Sequence, residues 1–194
     1  MRARISQVLN ANYGSFRGWV RSLLGQMEYV TGRLNQHLQP SVSTVDRLVF
    51  VCLGNINRSA FAAEVARSRR ANVHSIGLST TSGAPAFHTA VSTATRLGYD
   101  LLAHTATDLS DYTYQAGDLL LIMEVRHIGR LIASGIPAQA IAPLGWWASP
   151  IRIHLHDPHT LSDEYFRTCF NLINSAVINL TEEFRALDSP CMTR

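Results

Sequence analysis

The sequence has no lysine: its 17 basic residues are all arginine, set against 14 Asp and Glu. That bias reflects genome composition better than nucleic-acid binding, because no motif interleaving basic and aromatic residues accompanies it. Cysteine is scarce, and Cys52, Cys169 and Cys191 lie far apart. So few cysteines make no disulfide framework and fit a reducing, cytoplasmic setting. They also lack the spacing of a closed zinc site, and His154 and His156 read as exposed loop residues rather than ligands. No metal and no cofactor is expected. No apolar run approaches the ~18 residues of a membrane helix, and no signal-peptide core is recognisable. These absences leave a soluble chain of 194 residues, enough for one core of ordinary size plus an appendage.

Charge is unevenly placed. Residues 1–44 hold five arginines (Arg2, Arg4, Arg17, Arg21, Arg33) against one acid, Glu28, a net +4 where the whole chain carries +3. In the same segment Phe16, Trp19, Val20, Leu23, Leu24, Met27, Val30, Leu34 and Leu38 recur at three- and four-residue steps. That spacing predicts an amphipathic helix over 15–38. Pro40 and the polar residues 41–44 read as a linker. The expected division is a basic amphipathic helical extension and linker, 1–44, and one larger domain, 45–194. Packing of the helix on that domain or on a second copy, contact with a membrane surface or partner protein, and a cleaved targeting segment all fit the pattern.

The most informative run follows: Val49-Phe50-Val51-Cys52-Leu53-Gly54-Asn55-Ile56-Asn57-Arg58-Ser59. An apolar strand delivers a cysteine, and an arginine follows six positions later where a helix-forming stretch begins. Backbone N–H groups of a tight loop that opens a helix converge on one anion, and the helix dipole adds to the attraction. That field and the Arg58 guanidinium favour an anionic, nucleophilic sulfur. The planar fork of Arg58 can hold two phosphoryl oxygens. Gly54 lets backbone and ligand approach closely. A strand cysteine alone would be a small core residue. Here strand, loop, arginine and helix onset coincide, so Leu53, Gly54, Asn55, Ile56, Asn57, Arg58 and Ser59 read as a phosphate-binding loop around a nucleophile, Cys52.

At these residues the chain resembles the low-molecular-weight protein tyrosine phosphatases, whose signature is a Cys, five residues, then Arg-Ser or Arg-Thr. Ser75-Ile76-Gly77-Leu78, Gly98-Tyr99-Asp100, His104-Thr105-Ala106, the run from Asp118 to Glu124 and His156-Asp157-Pro158-His159 fall in that family's order. The likeness spans approximately residues 47–185. Residues 121–128 and Pro143-Leu144-Gly145-Trp146-Trp147 look most like the bacterial branch associated with exopolysaccharide export and its tyrosine kinases. Strands are predicted near 47–52, 72–76, 118–123 and 139–142, and helices near 59–70, 88–98, 125–133 and 162–185. This alternation predicts an α/β fold, a four-stranded parallel sheet with helices on both faces, flavodoxin-like, with Cys52 beyond a strand's carboxyl end.

The resemblance implies hydrolysis of phosphotyrosine through a phosphocysteine. Asp157 would protonate the leaving oxygen and then activate water, while Pro158 keeps the segment extended. Arg58 would clamp the transition state. Ser59 would donate to the Cys52 sulfur, and Ser75 and His104 would hydrogen-bond Asn55. On their own, Ser59 is equally a helix cap, Ser75 a strand-end hydroxyl and His104 a surface imidazole. Several positions depart from the family. Asn57 stands where a second cysteine is usual, which predicts easier irreversible oxidation of Cys52. Ala60 replaces a proline, Thr107 an arginine, and His159-Thr160 the usual tyrosine. Thr81 falls about where an aromatic or leucine lines the pocket.

A tyrosine phosphatase acting on a bacterial tyrosine autokinase or exopolysaccharide-export protein is therefore the leading expectation. A low-activity phosphotyrosine-binding protein recruited by its N-terminal helix is the alternative. Arsenate reduction would need a cysteine relay that Cys169 and Cys191 do not supply, and Ile56 favours a flat aryl phosphate over phosphoarginine. The oligomeric state is not predicted.

Overall fold

The computed structural model describes residues 2–38, 40 and 44–188, so Cys191 and most of the expected linker lie outside the described residues. Its centre is β1 (Arg47–Cys52). On one side β1 pairs in parallel with β2 (Val73–Gly77), and on the other with β3 (Asp118–Ile122), which pairs with β4 (Ile141–Pro143). The order is therefore β2-β1-β3-β4, the parallel sheet expected from the alternating pattern. The Val- and Leu-rich strands have no polar face because both faces are covered. Leu48, Phe50 and Cys52 point into one core with Leu119, Leu121 and Met123, while Val49, Val51, Leu120 and Ile122 point into the other.

On the first face lie α3 (Arg58–Ser68), α4 (His88–Arg96) and the long α6 (Asp163–Asp188). Phe61 of α3 stacks on Phe170 of α6 at a centroid distance of 4.1 Å, and Tyr99 meets the edge of Phe61. Truncating Phe61 to alanine would cost about 3–5 kcal/mol. Leu131 of α5 (His127–Ala133) enters the opposite core. The chain leaves β1 towards β2 and later returns on the other side to β3. The crevice so formed at the carboxyl end of β1 is where ligands bind in such sheets, and Cys52 occupies it.

The N-terminal segment departs from expectation in three respects. First, α1 (Arg2–Tyr13) precedes the predicted helix; its sequence carries no apolar stripe to announce it, and it packs on α6. Secondly, the predicted helix is α2 (Phe16–Val30) and stops well short of residue 38. Ser15 caps its start by accepting from the Gly18 N–H at 3.1 Å. Past its end Gly32 takes a left-handed φ of 75° and the chain turns away. Thirdly, the apolar stripe does not pack inward. Phe16, Leu23, Leu24, Met27 and Val30 are exposed, and the buried residues of α2 are Gly18, Ser22 and Gly25.

Close approach explains the inversion. A Cβ on Gly18 would sit 2.6 Å from the His156 ring, and one on Gly25 would sit 3.3 Å from the His154 Cβ. Small residues thus let the helix backbone lie against the 153–156 segment. Tyr29 on Trp146 at 5.3 Å, Arg152 over the Tyr13 ring at 4.6 Å, buried Leu34, and His37 Nδ1 donating to the Ile141 carbonyl at 2.9 Å complete the attachment.

Candidate active site

The loop between β1 and α3 is held from every side by Asn55. This residue adopts a left-handed φ of 50°, which asparagine tolerates better than most residues. Its Oδ1 accepts from the Thr107 N–H at 2.8 Å, which fixes the amide orientation. Its Nδ2 donates to Ser59 Oγ at 2.8 Å and to Ser75 Oγ at 2.9 Å. The Asn55 carbonyl accepts from His104 Nε2 at 2.7 Å, so His104 carries its proton on that nitrogen. Burial pushes the His104 imidazole below its ordinary pKa, against the opposing effect of this hydrogen bond to Asn55. Ser75 and His104, read alone as a strand-end hydroxyl and a surface imidazole, both reach the asparagine. The close packing falls on Gly77 rather than Gly54. A Cβ on Gly77 would lie 3.0 Å from the Gly54 carbonyl carbon and the Leu53 oxygen, whereas one on Gly54 would meet only Ile56, at 3.5 Å.

Cys52 is 2% exposed. Its sulfur accepts from the Asn55 N–H at 3.2 Å and lies 3.0 Å from Ser59 Oγ. Ser59 already accepts from Asn55, so its own hydrogen is available to the sulfur. The asparagine thereby orients the serine, and the serine can stabilise negative charge on Cys52.

Arg58, the first residue of α3, is fully buried. Its Nη1 donates to Glu124 Oε1 and to the Leu155 carbonyl, each at 2.8 Å. Burial opposes the guanidinium charge, but Asp157, Cys52 and Glu124 outweigh it and hold the pKa above its ordinary value. The Nε and Nη2 atoms have no hydrogen-bond partner among the described residues. Nη2 does lie 2.7 Å from Asp157 Oδ2, an ion-pair distance without hydrogen-bond alignment. One edge of the fork is thus anchored, and the edge that would hold two phosphoryl oxygens is not.

Glu124, just past β3, gathers charge from several elements. Besides Arg58 it receives Arg126 Nε at 2.8 Å and, across from α2, Arg21 Nη1 at 3.5 Å. Burial would raise its pKa, yet the Arg58 charge, followed by the Arg126 and Arg58 hydrogen bonds, holds it well below the usual carboxylate range. His127 and His154 stand 3.8 and 3.7 Å from the same carboxylate. Burial lowers both, His127 to about 3 and His154 to about 4, against the opposing pull of Glu124. His154, expected as an exposed loop residue, is 6% exposed because α2 covers it, and His156 is half-buried under Gly18.

Above Cys52 opens a cavity of about 130 Å³ walled by Leu53, Ile56, Asn57, Ser79, Asp157 and His159. Asp157 is partly exposed, and its Oδ1 accepts from the His159 N–H at 3.2 Å. Ser79, not the exposed Thr81, stands at the wall. Asn57 Nδ2 lies 3.4 Å from His159 Nδ1, and His159 meets the edge of Phe87.

The structure brings together Cys52, Arg58, Asp157 and the loop that the sequence singled out, whereas sequence reasoning gave no role to Glu124, Gly77, Thr107, Leu155 or Arg21. Glu124 carried a readable signal: an acid closing a buried apolar strand at its carboxyl end sits where these sheets bind ligands. Thr107 and Leu155 act through backbone groups, which leave no mark in residue type.

A cysteine cradled by loop amides and an arginine on a parallel α/β sheet defines a cysteine-based phosphate-handling class. Residues 47–189 match the family model described as low molecular weight phosphotyrosine protein phosphatase, and the chain belongs to that family. The Wzb phosphatase of Escherichia coli K12 is 32% identical over 131 residues, covering 66% of this chain and 88% of that protein. The crystal structure of Wzb from Escherichia coli K30 with sulphate superposes with a TM-score of 0.61 at 26% identity, covering 72% of this chain and 98% of that one. Vibrio vulnificus Wzb in complex with benzylphosphonate gives 0.61 at 25%, covering 71% and 98%. The YwlE arginine phosphatase of Geobacillus stearothermophilus gives 0.65 at 20%, covering 76% and 98%, a likeness of fold alone.

Proposed function

We propose that this protein hydrolyses phosphotyrosine in proteins through a phosphocysteine intermediate. The observation that carries the reading is the buried Arg58, anchored through Nη1 while Nε and Nη2 have no hydrogen-bond partner among the described residues and Nη2 lies beside Asp157. In the first step the Cys52 sulfur attacks phosphorus, the bond to the phenolic oxygen breaks, and Asp157 gives that oxygen its proton. In the second, Asp157 takes a proton from water as the water oxygen attacks phosphorus. The S–P bond then breaks, releasing phosphate and the thiolate. The loop amides and Arg58 stabilise the charge on the equatorial oxygens throughout.

Ile56 on the cavity wall suits a flat aryl group, and the similar Vibrio vulnificus Wzb holds benzylphosphonate, whose phosphonate carries a phenyl ring through one methylene. The relatives' names support a phosphotyrosine protein as substrate, and a segment of a bacterial tyrosine autokinase or exopolysaccharide-export protein, met in the cytoplasm, is the substrate proposed from the resemblance of residues 121–128 and 143–147. The test is hydrolysis of an aryl phosphate by the native chain, Cys52→Ser and Asp157→Asn, with no added metal. Abolition by the first, and a loss of about 10²–10⁴-fold by the second that shrinks as the leaving phenol becomes more acidic, is expected. A native chain that binds phosphotyrosine peptide without turning it over would make the protein a recognition module instead.

A further inference from the structure

We propose that the outward face of α2 is a docking surface for an anionic lipid membrane. The geometry is that of an interfacial helix mounted on a globular domain. At about 100° per residue, Phe16, Val20, Leu23, Met27 and Val30 fall within about 40° of one line along the helix. Four of these five are large apolar side chains more than half or nearly half exposed: Phe16 66%, Leu23 49%, Met27 55% and Val30 80%. The opposite face is committed: its buried residues are Gly18, Ser22 and Gly25, and the two glycines lie against the 153–156 segment with no room for a Cβ at Gly18. Rotating the stripe inward would drive large side chains into His154 and His156, so it does not await this chain's own core.

Charge selects the occupant. Arg17 on α2, Arg4 on α1 and Arg33 in the turn after α2 are exposed, and Glu28 is the one acid of residues 1–44. Two copies meeting through this face would bring like charges together, whereas a lipid surface with anionic headgroups supplies the opposite sign. A membrane also accepts an unbroken apolar stripe without a complementary groove, the guanidiniums reaching phosphates while the stripe enters the acyl boundary. No helix among the described residues is long and apolar enough to cross a membrane, so the contact is peripheral and reversible.

The test is co-sedimentation of the full chain with phosphatidylcholine vesicles, with and without phosphatidylglycerol. Binding at least about tenfold stronger to the anionic vesicles, and weakened by salt, is expected. The pair Leu23→Glu/Met27→Glu should abolish it while aryl phosphate hydrolysis stays at the native level, since both side chains face solvent. Failure of the native chain to bind anionic vesicles, or equal binding by the pair, would overturn the proposal. A native dimer dissolved by the pair, without vesicle binding, would do so in favour of a second copy.

Discussion

The loop of residues 52–59 and the helix α2 are both recognisable in the sequence, yet only one of them folds with the orientation its pattern suggests. In the loop each residue type has a narrow range of uses. An asparagine at φ 50° bridging Ser59, Ser75 and the Thr107 amide leaves little freedom, and sulfur and guanidinium are fixed with it. In α2 the pattern states only which residues share a side. Which side turns inward is decided by a partner surface distant in sequence, and the 153–156 segment accepts glycine rather than leucine. A side-chain chemistry with one use can be read locally, whereas an amphipathic stripe names a face without naming its partner.

The sharpest test of the loop's over-determination is Glu124→Gln. The substitution keeps the shape but removes the charge that balances the buried Arg58. Loss of one partner of a buried pair costs about 3–5 kcal/mol, and Arg126 and Arg21 lose their anion as well. A fall of about 10²-fold in kcat/KM, with a clearly lower unfolding midpoint, is expected because Arg58 then loses its charged anchor at Nη1 while Nη2 stays beside Asp157. Unchanged kinetics would mean that the Leu155 carbonyl alone positions the arginine.

The same residues mark what the sequence made legible. The strands, the four sheet-domain helices and the pair Cys52 and Arg58 were readable because apolar periodicity and a fixed cysteine-to-arginine spacing are local signals, whereas Asp157, by itself an ordinary Asp-Pro turn, was singled out through the family resemblance. Helix α1 was not, since its sequence has no stripe and it is held by contacts with α6. Nor was the burial of His154, which depends on a helix more than a hundred residues earlier in the chain.

Acid should act on the junction between these regions. His127 and His154 are neutral when folded, at about 3 and about 4, and each takes up a proton near the ordinary 6.5 on unfolding. The unfolded chain therefore binds more protons below that value, and stability falls as the pH drops from 6.5 towards 4. Each histidine accounts for about 2–3 kcal/mol by pH 4.5, at about 1.4 kcal/mol per pH unit. Glu124, held far below 4.5, contributes stability that is lost only under that value, so it does not confuse the window. Urea unfolding at pH 7, 6, 5 and 4.5 should show this slope, and His154→Gln should flatten it. A native-sized slope in that variant would place the acid sensitivity elsewhere.

The smallest effects bear directly on which face of α2 is inside. In an ordinary helix with its apolar stripe buried, truncating Leu23 would cost several kcal/mol and adding a methyl to a glycine would stabilise. This structure reverses both signs. Gly18→Ala places a Cβ 2.6 Å from the His156 ring, beside the Tyr13 carbonyl, and should cost about 1–3 kcal/mol through overpacking. Leu23→Ala removes a side chain that is 49% exposed and should stay within about 0.5 kcal/mol of native, or rise slightly with alanine's helix propensity. Paired thermal melts decide between the orientations. A large loss at Leu23 together with tolerance at Gly18 would turn the helix over and return the stripe to the interior.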